Sequence, residues 1–286
     1  MRVDSDLLRN VAISICNENG YTLHRELGGG AFKVAFLVAN DEGSEFALKV
    51  IKEISPSART SREVDAMFRC CHPCIARLVS LERHEFEGDT FQYMLEEYLG
   101  GGSLSSKIES DGYLLEDDAI RLGTHLIDAL GHLYGLKLVH RDIKPDNIVF
   151  RSDGETPALV DFGLVRDLSA TSLTQTWQQR GPGTPYFASP EQLNNEKHLI
   201  DWRSDQFSLG ITLFFVKYGL HPYQYPDEPP FSRDTIERVA NRGDRHPSFF
   251  ETLQNTSLST IIQLTEPWPV QRFRFPTDLS DAWPNS

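Results

Sequence analysis

Between residues 21 and 96 short apolar and aromatic runs alternate with turn signals, and four of these runs predict strands, over 21–27, 31–38, 45–51 and 91–96. Asn40-Asp41-Glu42-Gly43 and Glu87-Gly88-Asp89 are the clearest turns between them. Only residues 60–70 carry helical spacing in this stretch, with Val64, Met67 and Phe68 on one face. After Gly100-Gly101-Gly102-Ser103 the period becomes that of helices. Asp117 and Asp118 open a helix in which Ile120, Leu126, Ile127, Leu130 and Leu133 recur at three and four residues. A second helix is predicted over 205–218, with weaker signals over 234–241 and 258–264. The pattern predicts an α+β protein with a small β-rich part and a larger helical part, the glycine run lying near their junction.

Composition narrows the class of protein. The 286 residues allow one large domain or two small ones. A hydrophobic share of 40% with 24% charged residues is enough to build a core. The 28 basic and 41 acidic residues give a net charge of −13, which repels nucleic acid and anionic lipid unless positive charge is concentrated in one place. The N-terminus carries Asp4, Asp6 and Arg9 and has only a short apolar stretch over 11–16, which is not a signal-peptide pattern. The longest apolar run, over 209–216, is far below the ~20 residues that span a bilayer. The expectation is a soluble cytoplasmic protein with no membrane span and no nucleic-acid partner. Cys70-Cys71-His72-Pro73-Cys74 lacks the second Cys/His pair of a zinc site, so packing is the expected role of these thiols.

The chemistry concentrates in His140-Arg141-Asp142-Ile143-Lys144-Pro145-Asp146-Asn147, followed 19 residues after Asp142 by Asp161-Phe162-Gly163 behind the apolar run Ala158-Leu159-Val160. This resembles the catalytic loop and the metal-binding triplet of the protein kinase family. The resemblance implies that Asp142 orients the acceptor hydroxyl and takes its proton. It implies that Asn147 and Asp161 hold Mg2+, and that Lys144 contacts the transferring phosphate, as in the serine/threonine-specific form. Such a site needs charge and position more than covalent help, because a triphosphate is densely anionic.

Upstream, Phe46-Ala47-Leu48-Lys49 is similar to the family's strand lysine, which grips the α- and β-phosphates of ATP, and Glu63, 14 residues on, has the position of its partner carboxylate. Leu27-Gly28-Gly29-Gly30-Ala31-Phe32-Lys33 resembles the glycine-rich loop, although Lys33 stands at the third glycine position and Ala35 where valine is usual. By the same resemblance Leu27, Gly28, Gly30, Ala35 and Ala47 line the nucleotide site, with backbone groups of Glu97 and Leu99 holding the adenine. Glu96 then falls at the gatekeeper position. A buried carboxylate there needs a donor or an upward pKa shift, unless the register is off by one or two residues.

Gly183-Thr184-Pro185-Tyr186-Phe187-Ala188-Ser189-Pro190-Glu191 resembles the end of the activation segment of serine/threonine kinases, which favours a polypeptide acceptor over a small molecule. It implies that Thr184 touches the catalytic aspartate and that Glu191 pairs with a distant arginine, Arg272 first and Arg274 second. Asp205 takes the place of the structural acid behind the catalytic loop. Ser172-Leu173-Thr174-Gln175-Thr176 and Ser189-Pro190-Glu191-Gln192 look most like bacterial kinases of the eukaryotic-like type. In those, both threonines of Thr-Gln-Thr are autophosphorylated, which marks Thr174 and Thr176 as phosphorylation candidates, with Arg141 and Arg166 to receive the phosphate.

The resemblance therefore implies a two-lobed protein kinase fold: an N-terminal extension over 1–20, a small β-rich N-lobe over 21–98 and a larger helical C-lobe over 99–286, with one catalytic domain over 21–275. The implied reaction moves the γ-phosphate of ATP, with Mg2+, to serine or threonine hydroxyls of proteins. A transient homodimer would serve phosphorylation in trans. The alternatives are a pseudokinase scaffold that binds nucleotide or a partner without turnover, and a kinase-fold small-molecule phosphotransferase.

Overall fold

The computed structural model describes residues 5–29, 33–52, 65, 67–161 and 185–284. Two compact units result, one of residues 1–71 and 76–99, the other of residues 72–75 and 100–286. No helix among the described residues is long and apolar enough to cross a membrane.

The N-terminal unit is a helix, α1 (Ser5–Asn19), and an antiparallel sheet of five strands: β1 (Thr22–Gly29), β2 (Lys33–Ala39), β3 (Glu45–Lys52), β4 (Leu78–Phe86) and β5 (Asp89–Glu97), in the order β1-β2-β3-β5-β4. The turns follow from local chemistry. Between β2 and β3 the Asn40 side chain accepts from the backbone N–H of Glu42 and Ser44, and Gly43 takes a φ of +79°. Phe86 pairs with Asp89 across a two-residue hairpin in which both Glu87 and Gly88 have positive φ, the geometry whose twist matches the strands.

Strand β4 was not among the four predicted. It sits at the sheet edge and is half exposed, and its sequence Leu78-Val79-Ser80-Leu81-Glu82-Arg83-His84-Glu85-Phe86 carries the charges an edge strand tolerates, so the apolar signal is diluted. The helix predicted over 60–70 lies largely outside the described residues.

Pleating sorts the sheet into two faces. Val34, Phe36, Val38, Leu48, Val50, Phe91, Tyr93 and Leu95 share one face, and Leu8, Val11, Ala12, Ile15 and Cys16 of α1 pack into a single core with them. Within the stretch 1–20, expected as an N-terminal extension, these α1 residues join the core of the sheet. The opposite face carries Ala35, Ala47, Lys49, Met94 and Glu96.

The second unit is helical: α2 (Leu104–Asp111), α3 (Glu116–Gly135), a small hairpin β6 (Ile148–Phe150) and β7 (Pro157–Leu159), then α4 (Pro190–Leu193), α5 (Trp202–Tyr218), α6 (Arg233–Ala240), α7 (Pro247–Leu253), α8 (Thr260–Leu264) and α9 (Pro276–Ala282). Glu116, Asp117 and Asp118 fill the first turn of α3, where carboxylates complement the helix dipole. Helix α5 is buried on nearly every side. The Asp201 side chain caps its start by accepting from Arg203 N, and Gly219, at φ +69°, ends it. Two close approaches fix the packing: a Cβ at Gly123 would lie 2.1 Å from Trp283, and one at Gly210 would lie 2.8 Å from Leu264 and Thr265. Helices α7 and α9, which periodicity did not reveal, both begin with proline, a start signal independent of hydrophobic spacing.

Candidate active site

The segment from His140 to Asn147 is irregular backbone, so something other than helix or strand bonding must hold it. Asp205, on buried α5, does most of this. Its carboxylate accepts from His140 N at 2.7 Å and from Arg141 N at 2.8 Å. Complete burial pushes the Asp205 carboxyl up to about 7, while the backbone bonds from Arg141 and His140 pull it down. The buried His140 ring joins its own loop to the segment after β7. Its Nδ1 faces Asp142 N at 3.3 Å and its Nε2 faces the Val160 carbonyl at 3.1 Å, so the tautomer with Nε2–H satisfies both contacts. Arg141, at φ +69°, is in the left-handed region that an arginine adopts only when its surroundings impose it.

Gln192 completes the support. Ser189 donates to Gln192 Oε1 through its backbone N–H at 3.2 Å and its hydroxyl at 3.0 Å, which frees Nε2 to donate to the Arg141 carbonyl at 2.8 Å. The motif containing Gln192 is visible in sequence; its contact with the loop is not, because it joins residues 51 apart in the chain.

Held in this way, Asp142 stands next to two of the residues singled out with it. Lys144 Nζ lies 3.4 Å from Asp142 Oδ2, and Asn147 Nδ2 donates to Asp142 Oδ2 at 3.0 Å and to its carbonyl at 2.8 Å. Since the amide nitrogen of Asn147 is spent on Asp142, its oxygen is the atom left for a cation. Val160 N donates to the Asn147 carbonyl at 3.0 Å, which sets Asp161 beside it on the chain; Asp161 is buried at φ +67°. An amide oxygen and a carboxylate are hard donors of the kind Mg2+ takes, so these residues fit the ion implied by the resemblance.

In the N-terminal unit the register pairs Ala47 with Glu96 and Ala35 and Met94 with Lys49. Lys49 Nζ reaches Glu96 Oε2 at 2.6 Å, with both side chains under a tenth exposed. Of the two conditions on a carboxylate at residue 96, pairing is therefore met. Glu63, the partner implied by the resemblance, lies outside the described residues, as do Gly30, Phe162, Gly163, Arg166, Thr174, Thr176 and Thr184. Of the remaining nucleotide-site candidates, Leu27 and Gly28 lie on β1, with Gly28 opposite Ala35, and Leu99 is buried at the end of the unit. Glu97 N donates to the Arg77 carbonyl at 2.9 Å, so that N–H is already committed.

Glu191 and Arg272 meet in the C-terminal unit. Arg272 Nη1 and Nη2 donate to the two carboxylate oxygens at 2.7 and 3.2 Å, with both side chains fully buried. The Ser204 hydroxyl donates to Glu191 as well, and Arg272 also bonds the carbonyls of Glu266, Arg203 and Pro267. A charge pair this deep is tolerable because nearly every donor has an acceptor.

A five-stranded antiparallel sheet followed by a helical unit, together with this loop architecture, defines the protein kinase fold. The sequence pattern described as "Protein kinase domain" matches residues 21–283, and the chain belongs to that family. Myosin light chain kinase A of Dictyostelium discoideum is 32% identical over 229 residues, covering 78% of this chain and 72% of that protein. The probable serine/threonine-protein kinase PknB of Lactococcus lactis is 32% identical over 197 residues, covering 69% of this chain but only 28% of that protein. Relatives of this kind are mostly eukaryotic, with the bacterial PknB among them. The crystal structure of Rad53 1-466 in complex with AMP-PNP superposes with a TM-score of 0.71 at 22% identity, covering 93% of this chain and 65% of that one, a likeness of fold.

Proposed function

We propose that the protein is an ATP-dependent serine/threonine protein kinase. Asp142 accepts the proton of a serine or threonine hydroxyl as its oxygen attacks the γ-phosphorus, and the bond from that phosphorus to the β,γ-bridging oxygen breaks to release ADP. Lys144, beside Asp142, offsets charge on the transferring phosphoryl group. Lys49 grips the α- and β-phosphates. Asn147 and Asp161 would hold Mg2+, which when bound neutralises phosphate charge. The nucleotide site extends to Leu27, Gly28, Gly30, Ala35, Ala47, Glu97 and Leu99, with Glu63 assisting Lys49.

The observation that carries this reading is the Asp142 carboxylate flanked by the Lys144 ammonium and the Asn147 amide, on a loop pinned by buried Asp205. Hydroxyl deprotonation needs a carboxylate within reach of the acceptor, and phosphoryl transfer needs cationic groups around it. The acceptor is a protein segment received by the region from Thr184 to Glu191. Thr174 and Thr176 are autophosphorylated in trans within a transient homodimer, and Arg141 receives the phosphate. The likeness of residues 172–176 and 189–192 to bacterial eukaryotic-like kinases supports this last step.

Incubation with ATP and Mg2+ should add phosphate within residues 169–176 of wild type and none in Asp142→Ala. Addition that persists in Asp142→Ala overturns the autocatalytic step. A pseudokinase scaffold is the second reading, favoured by one observation: Lys49 is already paired with Glu96. A thermal shift with ATP but no turnover above Asp142→Ala would select it.

A further inference from the structure

We infer that Glu96 is a positioning residue that holds the Lys49 ammonium in place and competes with the phosphates of ATP for it. The inference rests on the reading of Lys49 as the phosphate-gripping lysine.

Both residues stand on interior strands. Strand β3 is laddered to β2 and β5, and β5 to β3 and β4, so the backbone at each end of the pair is fixed on both sides. Glu96 lies opposite Ala47, two residues along β3 from Lys49 and on the same face. Ala47 has only a methyl group, which leaves a clear path along the sheet. The lysine stem spans that path, and its Nζ meets Glu96 Oε2 at 2.6 Å, a short charge-assisted hydrogen bond.

Packing alone does not call for this carboxylate. Tyr93, Met94 and Leu95, the residues before it on β5, are all buried, and an apolar side chain at 96 would continue their run without the cost of desolvating a charge. What the carboxylate does supply is a fixed counter-ion to Lys49. It also places a full negative charge against the ammonium that anionic phosphates must use. The ammonium has three donors. Phosphates must therefore share it with Glu96 at close range, and like charges so placed repel.

Two substitutions separate holding from competition. Glu96→Gln keeps an acceptor oxygen and removes the charge. Glu96→Met removes both and leaves the buried ammonium without this partner. The affinity of purified wild type and both variants for Mg-ATP is measured by calorimetry, and kcat and KM are measured on a serine peptide. The inference expects Glu96→Gln to bind ATP about tenfold more tightly, a heavily discounted Coulomb effect of one charge removed at an effective dielectric of about 20, with kcat within about threefold of wild type. It expects Glu96→Met to lose kcat. A substitution that merely loosens the sheet does not tighten ligand binding, so the gain in Glu96→Gln sets the inference apart from a structural role.

A third measurement needs no nucleotide. Reductive methylation with labelled formaldehyde, read by mass spectrometry at Lys49, should be slow in wild type, faster in Glu96→Gln and fastest in Glu96→Met. Equal rates in all three proteins overturn the inference. So does unchanged or weaker ATP binding by Glu96→Gln when wild type binds ATP. Absence of ATP binding in wild type and Glu96→Gln alike overturns the kinase reading and the competition with it.

Discussion

In the N-terminal unit Lys49, the proposed phosphate-gripping cation, is paired with an opposite charge on a neighbouring strand. In the C-terminal unit the Asp142 loop is held by hydrogen bonds to its backbone gathered from three places: Asp205 on α5, the His140 ring and Gln192 on α4. An ion pair can be exchanged, because an incoming phosphate offers the ammonium the same kind of partner that Glu96 does. Backbone amides bonded to a buried carboxylate have no such substitute. The difference suits the proposed division of labour, in which Lys49 takes and releases phosphates while Asp142 stays at a fixed angle to its acceptor.

Substitutions at the two anchors should therefore act in opposite directions. The largest effect is expected from Asp205→Asn. Its amide nitrogen turns a donor toward one of the two backbone N–H groups, and turnover should fall by about a hundredfold or more, as for a misplaced catalytic group. Steady-state kinetics with folding checked by circular dichroism would measure it. A value of kcat near that of wild type would remove the distinction between the units, since Glu96→Gln is also expected to spare kcat.

Arg272→Met comes next and is chiefly a loss of stability. It leaves the Glu191 carboxylate buried without its bidentate partner, and truncating one member of a buried ion pair costs about 3–5 kcal/mol. Urea unfolding monitored by tryptophan fluorescence should show this; a loss below about 1 kcal/mol would mean that water or Ser204 replaces the guanidinium.

Ile15→Ala probes the other unit. The side chain is fully buried between α1 and the sheet, and such truncations cost about 2–5 kcal/mol. Removal of residues 1–20 should do more, exposing Phe36, Leu48, Val50 and Phe91 and causing aggregation. A truncated protein that stays monomeric with an unchanged melting temperature would show that α1 is dispensable to the core.

The smallest effect is one of pH. Burial lowers His221 to about 3 from 6.5, although the Tyr186 carbonyl favours its charged form. Between those values the unfolded chain binds the proton and the folded chain does not, so this group makes stability rise with pH. Asp205, raised to about 7 from 3.8, binds its proton more tightly when folded, so its contribution falls over about pH 4–7. The two oppose each other over roughly pH 4–6.5, where their combined slope in wild type should be small. Asp205→Asn removes one of them, and its unfolding midpoint should rise with pH relative to that of wild type across that window. A difference that is independent of pH would contradict the raised carboxyl.

Much of the fold was legible because hydrophobic spacing follows burial. Strands β2, β3 and β5 and helices α3 and α5 each bury a face or more, and each appeared near its place, as did β1, which only partly buries Leu23. Edge strand β4 was hidden by its charges. Helix α1 is legible in the spacing of Leu8, Val11, Ala12 and Ile15, whose short apolar run is far from a targeting signal. In the candidate site, Asp142, Lys144, Asn147 and Asp161 could be singled out because they stand in two short motifs that resemble the family's catalytic loop and metal-binding triplet. Three supports could not be placed from sequence: the Lys49–Glu96 pair depends on strand register, the Gln192 contact on a return of the chain after 51 residues, and the ring contacts of His140 on a tautomer chosen by its surroundings.

The central claim, that Asp142 is the base of an ATP-dependent phosphoryl transfer, is tested most directly by Asp142→Asn under single-turnover conditions. Transfer from ATP to a serine peptide is followed while ATP binding is measured on the same samples. The account predicts that the variant binds ATP as wild type does and transfers phosphate slower by about a hundredfold to ten-thousandfold, the range for a lost general base. Transfer at the wild-type rate would contradict it.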